Sequence, residues 1–165
     1  MPTVYPITSN VTGWYANIAD LQTRFGVANI ASWSQLSGSN NGQGNVAVNL
    51  TNVQACLNEA DSIINSFFQD CQFNIPLPAN PGGISGSAPS PVYTTNIWAT
   101  NLAGVMLYES RGLLDNNPVT GQAYSKYGYI KVETRKEMQE FKSGARRFWP
   151  AASRRWPTPS APFGA

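Results

Sequence analysis

Residues 51–70 read TNVQACLNEADSIINSFFQD, and their spacing decides the fold class. Val53, Leu57, Ala60, Ile63, Ile64 and Phe67 recur at the 3.6-residue period of one helix face, which predicts a helix over about 52–69. Thr51-Asn52-Val53-Gln54 fits a capping box, with the threonine bonding the third amide and the glutamine reaching back. Downstream, Pro76 and Pro78 in FNIPLP forbid continuation of the helix. Cys56 falls inside the apolar pattern and reads as a small buried hydrophobe. A disulfide from Cys56 to Cys71 is the alternative, but nothing in the chain indicates an oxidising compartment.

Working outward, residues 1–13 read as an extended arm with Pro2 and Pro6. Asn17 then offers an N-cap, Asp20 sits near the positive end of the dipole, and Leu21 and Phe25 share a face up to Gly26. A second short helix is expected over Val27 to Leu36, followed by a polar, glycine-rich loop over 37–45. Beyond the central helix, residues 78–92 (PANPGGISGSAPSPV) form a long loop rich in proline, glycine and serine. Such a loop could project towards a partner or a channel, or simply cover the surface. Trp98, Leu102, Val105 and Met106 mark a helix over about 94–113, followed by the turn Asn116-Asn117-Pro118. The final helix, about 129–147, places Val132, Met138, Phe141, Ala145 and Phe148 on one face, and Pro150 stops it. Leu21, Phe25, Leu57, Ile64, Phe67, Trp98, Leu102 and Met106 are the expected core. The reading is an all-α fold: a small bundle of about four helices, with long loops and extended N- and C-terminal arms. Its divisions are an arm at 1–13, a helical domain at 14–148 and a Pro/Arg/Trp-rich arm at 149–165.

Composition narrows the function. A chain of 165 residues has room for one domain that folds without metals or disulfides. Charged residues make up only 12%, against roughly 25% in typical globular domains. A surface so poor in charge is covered by Asn, Ser, Thr, Gln and Gly, or buried in partners. The chain has no histidine, which removes the commonest general base and the commonest zinc ligand. Asp61, Asp70 and Glu109 lack a nucleophile, a partner acid or a phosphate loop, so neither an enzyme nor a cofactor or metal site is expected. Apolar runs fall short of the roughly 20 residues that span a bilayer. The opening MPTVYPITSN has no positive n-region or apolar h-region, so synthesis and folding in a cytoplasm are expected, and the sequons at Asn10 and Asn49 read as accidental. Charge is unevenly placed. Residues 1–125 carry two basic and six acidic side chains, a net −4, whereas residues 126–165 carry nine basic and three acidic, a net +6. One end therefore suits an acidic partner or nucleic acid.

Three stretches in order resemble the Mu-type head–tail connector family of tailed bacteriophages. They are YANIADLQTRFG (15–26), ADSIINSFFQDCQFNIPL (60–77) and the K-x-M-x-x-F-K-x-G pattern within the helix at 132–148. Together they span about residues 14–148. The resemblance implies an α-helical adaptor or head-completion subunit of the virion. Such subunits form a homo-oligomeric ring, usually of twelve copies, below the portal protein; the ring extends the DNA channel and offers a platform for the downstream stopper or tail protein. DNA would pass through with weak direct contact at most. The chain departs from the family pattern in its longer 78–92 loop, in Gln72-Phe73 where an arginine–tyrosine pair is usual, and in its arginine- and proline-rich tail.

That tail repeats a motif of two arginines, then aromatic and proline: Arg146-Arg147-Phe148-Trp149-Pro150 and Arg154-Arg155-Trp156-Pro157. Arginine and tryptophan are enriched at interface hot spots, and proline limits the entropy lost on docking. With the resemblance, these residues read as an arm that anchors the ring between portal subunits; otherwise Phe148 and Trp149 pack on their own bundle. The same residues could hold nucleic acid, arginines on phosphates and rings on bases, which is the competing function. Lys131, Arg135, Lys136 and Lys142 read as a solvated face, as intersubunit charges or as channel-facing charges.

Overall fold

The computed structural model describes residues 11–35, 48–73, 75–76, 91–111, 115–116, 120 and 123–144. The protein is all-α, as its patterning predicts. The described residues hold five helices rather than about four, with one small ribbon: α1 (Ile18–Phe25), α2 (Val27–Ser34), α3 (Leu50–Asp70), α4 (Pro91–Glu109), β1 (Asp115–Asn116), β2 (Ala123–Tyr124) and α5 (Gly128–Lys142). The ribbon is antiparallel, with Asp115 opposite Tyr124 and Asn116 opposite Ala123.

Gly26 makes two helices of the first segment. At φ 92°, ψ 140° it occupies backbone space that side chains disfavour. Its N–H donates to the Gln22 carbonyl at 2.8 Å, closing α1, and its own carbonyl accepts from Ile30 N at 3.1 Å, opening α2. At the other end of α1 the expected cap is present: Asp20 N donates to Asn17 Oδ1 at 3.0 Å, and Asn17 N donates to Asp20 Oδ2 at 2.9 Å.

The start of α3 corrects the sequence reading. Asn49, not Thr51, is the N-cap, its Oδ1 accepting from Asn52 N at 3.2 Å. Thr51 is exposed in the first turn, and Gln54 donates to the Thr12 carbonyl and to Asn58 Oδ1. The end of α3 is also set before the prolines. Gln72 takes φ 63° and donates to the Gln69 carbonyl at 2.9 Å, while Phe73 N donates to the Phe68 carbonyl at 2.9 Å. This is a Schellman closure, completed by the Phe68–Phe73 ring contact at 5.6 Å.

Helix α4 lies at the centre. It opens on Pro91, which suits a first helical position where the missing N–H costs nothing. Trp98, Ala99, Leu102, Ala103, Val105 and Leu107 are buried around its circumference, as expected of a helix packed on several sides. α1, α2, α3 and α5 all pack on it. Gly104 is where α1 comes closest, since a Cβ there would overlap the Phe25 ring.

Two aromatic clusters fill the core. Phe67, Phe68, Phe73, Trp98 and Phe141 meet at one end, and Phe25, Trp33, Tyr108 and Tyr127 at the other. Leu21, Phe25, Leu57, Ile64, Trp98 and Leu102 are buried as expected, while Phe67 and Met106 are half-buried. Val132 is a misreading: it is 67% exposed, and α5 instead buries Ile130, Thr134, Met138 and Phe141. Thr134 can face inward because its hydroxyl accepts from Asn101 Nδ2 at 3.2 Å. Cys56 is buried and Cys71 half-buried, and both are free thiols, so the alternative disulfide is not formed. The loops at 37–45 and, but for its last two residues in α4, 78–92 lie outside the described residues, as do the arm at 149–165 and all of residues 1–13 except 11–13.

Candidate functional site

The surface feature with most structure behind it runs along the outer face of α3. Asn58, Asp61, Ser62, Asn65, Ser66 and Gln69 floor an open groove of about 430 Å³, rimmed by Trp14 on one side and Ile75-Pro76 on the other. The floor residues recur at three- and four-residue steps, opposite the buried stripe of Val53, Leu57, Ile64 and Phe68.

The Trp14 rim is held by a polar turn. Gly13 N donates to the Ala16 carbonyl at 2.7 Å, and Thr12 bridges to Asn17. The N–H groups of Trp14 and Tyr15 both donate to the Asp61 carboxylate, and the Tyr15 hydroxyl donates to Asn65 Oδ1 at 2.6 Å. From α4, Asn96 Nδ2 donates to the Tyr15 carbonyl and to Asp20 Oδ2, each at 2.9 Å. Gly13 is required by this geometry, because a Cβ there would come within 2.6 Å of Asp61 Oδ2. The turn thus presents the Trp14 side chain outward, 53% exposed, with Ile75 41% exposed across the groove. Burial pushes the Asp61 carboxyl above its ordinary value, and the two backbone donors hold part of that rise back.

The charges singled out from sequence do not act together. Lys131 is partly buried and pairs with Glu109 of its own chain at 2.9 Å. Lys142 lies 3.9 Å from Asp70, in an exposed and therefore weak pair. Arg135 and Lys136 are exposed on α5, with Glu133 exposed on the same helix. Glu137 faces inward and accepts from Trp98 Nε1 at 2.9 Å, tying α5 to α4. Arg146, Arg147, Phe148, Trp149, Arg154, Arg155 and Trp156 lie outside the described residues.

The groove was not legible as a site because, Asp61 apart, its floor is made of uncharged polar residues, which read as an ordinary solvated helix face. The available signal was their helical repeat together with the absence of lysine or arginine between Arg24 and Arg111. No cluster of three or more metal-ligating side chains occurs among the described residues. The Cys56 thiol is pushed up to about 11 by burial and by Glu59, so it is protonated at neutral pH and a poor nucleophile. No described helix is long and apolar enough to cross a membrane. No family model, curated protein or solved structure matches the chain.

Proposed function

We propose that this chain is a structural subunit of a bacteriophage head-to-tail connector, a virion protein that assembles into a ring below the portal and supplies the attachment platform for a stopper or tail. The observation that carries this reading is the polarity of the chain. Its central helices contain acids and no bases between Arg24 and Arg111, whereas an arginine-, tryptophan- and proline-rich segment follows α5. A subunit with unlike ends suits head-to-tail, heterologous contacts, which close into rings. The helical body and the charge-poor composition support this reading. In this reading Arg146, Arg147, Trp149, Arg154, Arg155 and Trp156 anchor the ring to the portal, and the copy number follows the portal, twelve in the family the sequence resembles.

The competing reading is a nucleic-acid-binding protein using α5 and the basic segment after it. Against it, Lys131 is paired with Glu109 of the same chain, and Glu133, Glu137 and Glu140 are interleaved with the bases of α5, which leaves a thin cationic face there. The two readings separate by salt. Binding to a portal ring through buried tryptophans should persist as salt rises and be lost in Trp149→Ala or Trp156→Ala. Binding to duplex DNA should weaken steeply with salt, by about 10³-fold or more between 50 and 200 mM if six or more phosphates are contacted. Tight, salt-sensitive binding to DNA without binding to the portal would replace the connector reading.

A further inference from the structure

The groove on α3 is built and rimmed, yet the described residues do not fill it. We propose that it seats the C-terminal segment of the same chain, residues 145–165, as an intramolecular ligand. Three observations on the molecule select this occupant. The first is where the segment leaves the fold. Lys142, at the end of α5, lies 3.9 Å from Asp70 at the end of α3. Gln69 and Pro76 line the groove at that same end. A cleft of about 240 Å³ between Phe141, Lys142, Asp70, Cys71 and Gln72 marks the passage from one to the other.

The second is length. The floor from Gln69 back to Asn58 covers eleven helical steps, about 17 Å at 1.5 Å per residue. Residues 145–165 can extend to roughly 65–70 Å, so both Arg-Arg-aromatic-Pro motifs can reach it.

The third is charge, and it discriminates among segments. Asp61 lines the groove, Asp70 lines the cleft at its end, Glu59 is exposed on the same helix, and α3 carries no base. The stretches 1–10, 36–47 and 77–90 carry no charged residue, so none of them complements those acids. Residues 145–165 carry four arginines and no acid. Asn, Ser and Gln on the floor offer donors and acceptors to an extended backbone that prolines keep out of a helix. The Trp14 and Ile75 rims offer apolar and cation–π surface to tryptophan and arginine. The seat would keep the segment's aromatic side chains covered until a partner displaces it. This inference does not depend on the connector reading.

Disulfide trapping in the full chain tests it. Cys71→Ser removes the nearby thiol, and Ser62→Cys on the groove floor is combined with Ser153→Cys or, separately, Ser160→Cys. Thr23→Cys, exposed on α1, replaces Ser62→Cys in the control. All three helix-borne positions are exposed or half-exposed, and far-UV circular dichroism of the reduced proteins checks folding; Ser66→Cys replaces Ser62→Cys if that variant fails to fold. The expected result is an intrachain disulfide that forms about tenfold faster from the groove than from α1, since a seated segment raises the local concentration well above that of a free tether. Glu59→Lys with Asp70→Lys, or about 1 M salt, should slow trapping several-fold, because screening at that strength acts within about 3 Å. Equal rates from groove and control at both segment positions would overturn the proposal. So would trapping that occurs only between chains, which would place the segment on a second copy.

Discussion

At the residue scale, two backbone positions explain choices that composition alone does not. Gly104 interrupts a helix in which alanine would be the better former, and the reason is the Phe25 ring lying against it. That ring is fixed edge-on by Trp33 at 5.5 Å and by Tyr127 at 6.1 Å, so it has little room to retreat. Gly104→Ala should therefore lose about 1–3 kcal/mol by overpacking, measured by urea unfolding, despite alanine's higher helix propensity. Gln72 makes the opposite case: a side chain at φ 63° in a closure that normally takes glycine. Gln72→Gly should stabilise the protein by about 0.5–1 kcal/mol, the left-handed penalty less the extra entropy of glycine. A loss of stability in that variant would mean that the Gln72 side chain makes contacts that outweigh its strain.

At the element scale, the helices were largely legible and their ends were not. The 3.6-residue repeat of Val53, Leu57, Ala60 and Ile64 placed α3 because burial enforces that period, and all four are buried. Its start was misplaced because Asn49 and Thr51 are both good caps, and only the tertiary path of the preceding residues chooses between them. Ser34 makes that choice, its Oγ accepting from Asn49 N at 2.8 Å and its carbonyl from Asn52 Nδ2 at 2.7 Å. Asn49→Ala should accordingly cost about 1 kcal/mol, while Thr51→Ala stays within about 0.5 kcal/mol, both read from thermal or urea unfolding. The same cap accounts for the sequon at Asn49, whose side-chain amide is a structural group. In α5 the misreading of Val132 has a different cause. Hydropathy favoured Val132 over Thr134, but Asn101 on α4 supplies a hydrogen-bond partner that lets the threonine be buried and leaves the valine outside.

At the scale of the whole molecule, Asp61 joins the N-terminal turn to the long helix and so to the groove. Its carboxyl lies above the ordinary value of 3.8 because burial outweighs the two backbone donors. The folded state therefore binds this proton more tightly than the unfolded chain does. Its contribution to stability is greatest below the ordinary value and falls as pH rises through the raised one. Asp61→Asn removes the titration, so wild-type stability minus that of the variant should decrease across this window in urea titrations at successive pH values. A difference that rises with pH would mean that the Trp14 and Tyr15 donors, not burial, dominate. The groove itself was beyond sequence reading because it depends on the turn at 11–17 and the segment at 75–76 meeting across α3, residues far apart along the chain. The polarity of charge, by contrast, was plain in the sequence and organises the whole account: an acidic helical body followed by a basic, aromatic segment.

The proposed role as a connector subunit can be tested by native mass spectrometry of the full-length protein mixed with the portal ring of the same virus. Saturation near one copy per portal subunit is expected, with loss of binding when residues 149–165 are deleted from a chain whose circular dichroism is unchanged. No association with the portal at any ratio would contradict it.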